Sequence, residues 1–452
     1  MQGVDLPGLQ NPPSAMQPTN PLTITKDHAQ LLVKHHLDER GDAKVVKVVE
    51  LANQGFSYCS SIRTFIIDIQ VAKSEESLSA ISAAFITVSA PLNTDPEDLD
   101  TESRVYPPNP LPVLHAITSR ILASTSIPIS SSSIIDTSLA LVPFPYILSP
   151  ASPDVSSDGI VSLGEARRRG FLGNNPNDPR KLRVDLMLGR FLGEVHKRCV
   201  NDWFGVPSSI NDAERSTPTP ASINDPEPPN SYSWQETFTM LFESVLSEVE
   251  TILLAVSASD TSPPTQTIQI PSQRIRLLLS RAIGSFLFDD VEEPSLIWFT
   301  GSEEDIYVSL TIPPSPGSSP ITAILPNLSH AVWGDPLLES FFLGFSGLPS
   351  VTSEPSEAFM EAYTSSGGSD RLIVFPRQKT KRIWYTLFLG LVVLRGRLGW
   401  QNERARLDAE LSDPVGDQLH HRSQSGDNKV TWSKKIISEC VQALEKRQAT
   451  EK

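Results

Sequence analysis

Apolar positions recur in this chain with two periods, and the shorter one is confined to a few stretches. Between residues 26 and 37, Ala29, Leu32, Val33 and His36 share one face at helical spacing, which predicts a short helix. Three β-like runs follow at 45–51, 62–71 and 84–89. Helical spacing then returns: Leu114, Ile117, Ile121 and Leu122 predict a helix over 114–123, and Val184, Leu188, Phe191, Leu192 and Val195 a stronger one over 179–201. Ser233-Trp-Gln-Glu236 has capping-box spacing ahead of a stripe of Phe238, Leu241, Phe242, Val245, Leu246, Val249 and Leu253. Further helices are predicted over 272–287, 337–345, 356–364 and 380–395, and Trp432, Ile436, Ile437, Cys440, Val441 and Leu444 mark a C-terminal amphipathic helix.

One stretch, 294–339, interrupts the helical pattern. Two apolar runs flank a Pro/Ser/Gly turn at 313–320, the signal of a β-hairpin, and Asp335-Pro336 then supplies an N-cap with proline at the first helical position. The order predicted there is strand, turn, strand, loop, helix.

Polar and proline-rich stretches divide the rest. Residues 1–25 read as a disordered tail, 26–148 as a small lobe with most of the strands, and 149–412 as a larger helical lobe that contains the hairpin 294–339. Residues 208–230 form a polar, proline-rich insertion. Residues 413–452 read as a linker, polar to about 428, and the C-terminal helix. No internal repeat is visible. The class is α+β.

Composition narrows the function. The 452 residues are 39% hydrophobic and 20% charged, a globular balance, and 38 prolines point to long loops. A formal net charge of −15 with no basic domain argues against nucleic acid or an anionic membrane as partner. Cys59, Cys199 and Cys440 lie far apart without metal-ligand spacing, so a reduced compartment is expected. The N-terminus lacks the charged start and apolar run of a signal peptide, and the longest apolar run, 383–394, is too short to span a bilayer. The expectation is a soluble cytoplasmic protein.

Two segments carry a family resemblance. His330-Ala-Val-Trp-Gly-Asp-Pro-Leu-Leu-Glu339 is one; Leu188-Gly-Arg-Phe-Leu-Gly-Glu-Val-His196 with Asn201-Asp-Trp-Phe-Gly205 is the other. Both resemble the aminoglycoside phosphotransferase-like family, most closely its fungal members, over 26 to about 406. The resemblance implies a bilobal protein-kinase-like α+β fold, with a small antiparallel β lobe and a larger, mainly helical lobe. It also implies a catalytic pattern close to P-x-L-V-H-G-D-L-x-x-x-N-I-L-V. Laying Pro294, Leu296, Ile297, Ile306 and Val308 on that frame puts Trp298-Phe299-Thr300 where the family has His-Gly-Asp. Thr300 then occupies the position of the catalytic Asp, Asp305 that of the metal-binding Asn, and Asn327 that of the metal-binding Asp.

These exchanges remove chemistry. Thr300 cannot serve as a carboxylate base, and Asn327 offers magnesium one neutral oxygen in place of a charge. The resemblance also places a phosphate-binding lysine in 84–89 and its glutamate partner at the start of the next helix. The first run has no lysine, Lys73 being nearest in the polar turn 72–77, and the second region reads Asn109-Pro-Leu-Pro112. In the loop that would cover phosphates, 52–61, Gly55 is the single glycine and hence a weak cofactor-binding candidate. Residues 138–149 resemble the strand into the hinge that would meet an adenine.

Other residues divide between structural and chemical readings. Trp333, Gly334, Asp335 and Pro336 are read as structural, and His196 and His330 as hydrogen-bonded scaffold histidines. His420-His421 is read as a solvated pair in a charged linker, with metal binding as the alternative. Glu303, Glu304 and Asp305 are read as an exposed acidic turn, with a rearranged magnesium site as the alternative. Arg167-Arg-Arg169 is read as a solvated turn, with a phosphate or an acidic partner surface as the alternative. Bulky Trp298 and Phe299 point to a filled cleft. The favoured function is a pseudokinase-like member of the family that binds an unidentified partner protein or small molecule. The alternative is an active ATP-dependent small-molecule phosphotransferase, with ATP and Mg²⁺ held through Asp305, Glu303 or Glu304.

Overall fold

A computed structural model describes residues 22–38, 42–51, 61–71, 80–90, 106–129, 133–151, 159–172, 178–207, 233–258, 269–298, 303–310, 321–339, 350–352, 354–368, 376–410 and 418–450. Gly55, Lys73, Phe299, Thr300, Cys59 and the insertion 208–230 lie outside these, as do the side chains of Asp305, His420 and His421.

The small lobe is an antiparallel sheet of β1 (Ala43–Glu50), β2 (Ile62–Val71), β3 (Ala80–Ser89), β4 (Ile134–Asp136) and β5 (Tyr146–Pro150), in the order β1-β2-β3-β5-β4. Helix α2 (Leu111–Ser124) lies in the connection from β3 to β4. Alternation sorts the strands onto two faces. Phe65, Ile67 and Ile69 of β2, with Ala84, Ile86 and Val88 of β3, pack beneath α1 (Lys26–His36) through Ala29, Leu32 and Val33. Ile66, Ala83 and Phe85 face the other way, towards the larger lobe, and cluster with Ile160. Ile24, expected within the disordered tail, is 4% exposed in the α1 cluster, and Thr25 caps α1 by accepting the His28 amide at 3.2 Å.

The larger lobe contains α3 (Leu163–Arg168), α4 (Pro179–Arg198), α5 (Trp234–Ala258), α6 (Ser272–Gly284), α7 (Glu357–Ser365), α8 (Pro376–Glu410) and α9 (Gln418–Thr450). Its core is continuous from α2 to α9 and includes Phe238, Phe242, Trp384, Phe388 and Ile436. The last two helices pack closely because Gly390 has no side chain: a Cβ there would lie 2.9 Å from Ile436. Helix α8 outruns the predicted 380–395 at both ends, and α9 starts inside the predicted linker, so the C-terminal segment belongs to the larger lobe. Trp432, Ile436 and Cys440, part of the apolar stripe that predicts this helix, are buried against the core and stabilise it.

The runs 307–310 and 321–325 pair antiparallel, as the hairpin predicts, and the stretch 294–339 also holds two strands outside that pair. Its apolar runs split into β7 (Ser295–Ile297), β8 (Tyr307–Leu310), β9 (Ile321–Leu325) and β10 (Val332–Gly334). β8 pairs with β9 and with β6 (Ile160–Ser162), whereas β7 pairs with β10. A 3-10 turn at Glu303–Asp305 precedes β8. Pro326 follows β9 and cannot donate to a ladder, which fits the strand ending at Leu325. The helix predicted at 337–345 is, in its described part, a 3-10 turn at Pro336–Leu338, after which Glu339 is extended. The whole is an α+β fold with an antiparallel sheet lobe and a mainly helical lobe. No helix among the described residues is long and apolar enough to cross a membrane.

Candidate functional site

Side chains from both lobes line the cleft between them. Phe85 and Thr87 are β3 positions facing it, within the run where the resemblance places a phosphate-binding lysine. One cavity, about 110 Å³, lies among Phe85, Ala151, Ile160, Tyr307, Ala323 and Leu325, close to the end of β5. A second, about 130 Å³, lies among Arg63, Thr64, Thr87, His115, Tyr307 and Asn327. Its polar groups are largely hydroxyls, and Thr64 and Thr87 place theirs 3.1 Å apart.

Asn327 lies in the loop after β9, where its Oδ1 accepts the Ser329 amide at 3.0 Å. That loop is gripped from the start of α2. The Asn109 Nδ2 donates to the carbonyls of Leu328 and Ala331, each at 3.0 Å, and the Tyr106 hydroxyl donates to the His330 carbonyl at 2.6 Å. Asn109 stands in the region where the resemblance places a glutamate, and its amide holds backbone. The His330 ring packs edge-on to Tyr106; burial, with help from Arg395, lowers its imidazole to about 3, so it stays neutral. His196 Nδ1 lies 2.8 Å from the Tyr363 hydroxyl in the buried interior.

The acidic turn and the arginine triplet meet through Glu303, Glu304, Arg167 and Arg168, while the side chains of Arg168 and Arg169 stay largely exposed. Glu303 is 4% exposed, and its Oε1 accepts from Arg167 Nε at 2.7 Å. Arg167 is buried as well and donates from Nη2 to Asp185 Oδ1 of α4 at 2.8 Å, while Ser356 donates to the other Asp185 oxygen at 3.0 Å. Glu304 accepts from Arg168, and from Ser162 Oγ at 2.7 Å. Arg168 and Arg169 both donate to Glu165, at 2.6 and 2.7 Å. One guanidinium faces two buried carboxylates, so burial raises the Glu303 carboxyl to about 7 despite the pull of Arg167. Asp185 gave no sign in the sequence, since on the apolar stripe of α4 it reads as an ordinary helix residue.

Behind the cleft, the two motif segments meet. Gly205 and Trp333 exchange backbone hydrogen bonds at 3.0 and 2.9 Å, and the Asn201 amide donates to the Pro294 carbonyl at 2.9 Å. The Arg120 guanidinium lies 4.7 Å from the Trp333 ring centroid. Gly334 is required by Trp234, since a Cβ would lie 2.7 Å from its ring. Asp335 is 3% exposed and caps the 3-10 turn through the Leu337 amide at 2.9 Å. Its Oδ2 accepts from Lys381 Nζ at 2.9 Å and from the Tyr385 hydroxyl at 2.7 Å, both on α8. Pro336 opens that turn. The Trp298 amide donates to the fully buried Glu339 carboxylate at 2.8 Å, tying β7 to the residue after the turn. Lys381 and Tyr385 escaped the sequence reading, although their i,i+4 spacing puts them on one helix face.

Among the described residues no group of three or more His, Cys, Asp or Glu is arranged to hold a metal ion. No protein-family model and no curated protein sequence matches the chain. Among solved structures, a candidate aminoglycoside phosphotransferase from Ralstonia eutropha is similar, with a TM-score of 0.43 and 11% identity, over 93% of this chain and 98% of that one.

Proposed function

We propose that this protein is a pseudokinase-like binding protein that uses a kinase-like frame to hold a partner protein or small molecule without transferring phosphate. The observation that carries the reading is the pairing of Glu303 with Arg167 and of Glu304 with Arg168 and Ser162. These are two of the three carboxylates that a rearranged magnesium site would recruit, and both are spent on arginine. Asn327 turns its oxygen to the Ser329 amide. Phosphoryl transfer relies on positive charge around the phosphates and on metal held by carboxylates, and the described cleft residues do not fit a magnesium nucleotide.

The test is the thermal unfolding midpoint of the full-length protein with ATP, ADP or GTP, each with and without magnesium, because a ligand that binds only the folded state raises it. The expected result is no magnesium-dependent shift at millimolar nucleotide. A magnesium-dependent rise that Asp305→Ala abolishes would overturn the proposal and restore the active phosphotransferase.

A further inference from the structure

Helices α8 and α9 enclose a third cavity that shares no lining residue with the two in the cleft, so it stands or falls separately from the reading above. Its volume, about 310 Å³, reaches the lower end of the range for small-molecule pockets, roughly 300–1,000 Å³. Lys379, Arg382, Ile383 and Thr386 present one face of α8 to it, Ala443 and Arg447 line it from α9, and Ser350, Val351, Thr352 and Glu354 close a side. The charge is uneven. Among the described residues that line it, three side chains are cationic and one, Glu354, is a carboxylate, in a chain whose net charge is −15.

The cations are held in different ways. Arg382 is 8% exposed, and burial lowers its pKa despite Glu354 and Asp335 acting the other way, so positive charge is retained at a cost inside the fold. Lys379 Nζ lies 4.0 Å from Glu354 Oε1, with both side chains largely exposed, a pairing too weak to neutralise the pocket. Arg447 is oriented by donating from Nη1 to the Thr380 hydroxyl at 2.8 Å. Planar guanidinium groups recognise phosphate by paired hydrogen bonds. Val351, Ile383 and Ala443 supply an apolar wall beside them.

We propose that this pocket binds a small phosphorylated organic molecule, with Arg382, Arg447 and Lys379 around the phosphate and Val351, Ile383 and Ala443 against the organic part. Two guanidinium groups and an ammonium around one space match the several acceptor oxygens of a phosphate monoester. A free phosphate would leave the apolar wall uncovered.

Calorimetric titration and thermal unfolding of the full-length protein at constant ionic strength test this, with phenyl phosphate, inorganic phosphate and benzoate as probes. Phenyl phosphate is expected to bind most tightly and to raise the midpoint, inorganic phosphate more weakly, and benzoate least. Arg382→Gln, Arg447→Gln and Lys379→Gln are each expected to weaken phenyl phosphate by about tenfold or more, the loss of one charged hydrogen-bond donor. Should R382Q fail to fold, R447Q and K379Q decide, since their side chains are partly exposed. Absence of any phenyl phosphate binding at millimolar concentration, binding that these variants leave unchanged, or benzoate binding as tightly as phenyl phosphate would each overturn the assignment.

Discussion

Arg167 and Glu303 stand 136 positions apart in sequence and form a buried ion pair at 2.7 Å between α3 and the turn before β8. Asp185 completes the group from α4, so three separate segments depend on one guanidinium. Buried pairs of this kind give little net stability over an apolar replacement, but losing one member leaves charge without a partner.

Arg167→Leu is therefore expected to destabilise the protein by about 3–5 kcal/mol, and Glu303→Gln, which keeps an acceptor for Nε, by far less. Urea unfolding of the two variants beside the parent protein measures both. Equal losses would mean that the pair is not the origin of the effect.

The pH dependence follows from the same group. Because the folded-state pKa of Glu303 is raised to about 7 from an ordinary 4.5, the folded protein takes up this proton more readily than the unfolded chain. Its contribution to stability is full below about 4.5 and is lost as pH rises through about 7, a change of at most a few kcal/mol. Glu303→Gln lacks the proton, so its midpoint relative to the parent is expected to rise between pH 5 and pH 8. Parallel midpoint curves over that interval would contradict the assignment.

Asp335 is tied to α8 by Lys381 and Tyr385 and to its own turn by the Leu337 amide. Asp335→Ala strands the buried Lys381 ammonium, with Asp290 at 2.6 Å as its remaining carboxylate, and is expected to cost about 3–5 kcal/mol. Tyr385→Phe removes one hydrogen bond and is expected to cost about 1 kcal/mol. Chemical denaturation reads both. A Y385F loss as large as that of D335A would show that packing, not the charge, holds this junction.

Gly334→Ala sets a methyl group 2.7 Å from the Trp234 ring, which is itself buried and hydrogen-bonded to Tyr385 at 2.8 Å. Overpacking against a ring that cannot turn away is expected to cost about 1–3 kcal/mol. The check is the unfolding midpoint together with the near-ultraviolet circular dichroism of the buried tryptophans. An unchanged spectrum with unchanged stability would mean that the two segments can part at no cost.

What the sequence alone determined is what short-range physics determines. The apolar stripe of α4 and the strand over 62–71 follow from periods of a few residues, and Ser233 caps α5 through a contact three residues long. The capping role of Asp335 is equally local and was visible in Asp335-Pro336. The division of 294–339 into two sheets was not visible, because a short apolar run carries no mark of its pairing partner, and β7 finds β10 across β8 and β9. Charge pairing was hidden for the same reason. Glu303, Glu304 and Arg167 through Arg169 look like solvated or metal-ready clusters when read along the chain, and only folding brings the opposite charges within hydrogen-bonding distance. An electrostatic interaction depends on separation in space and on the loss of water around it. A one-dimensional pattern contains neither, so the tertiary structure alone decides which carboxylates remain for chemistry.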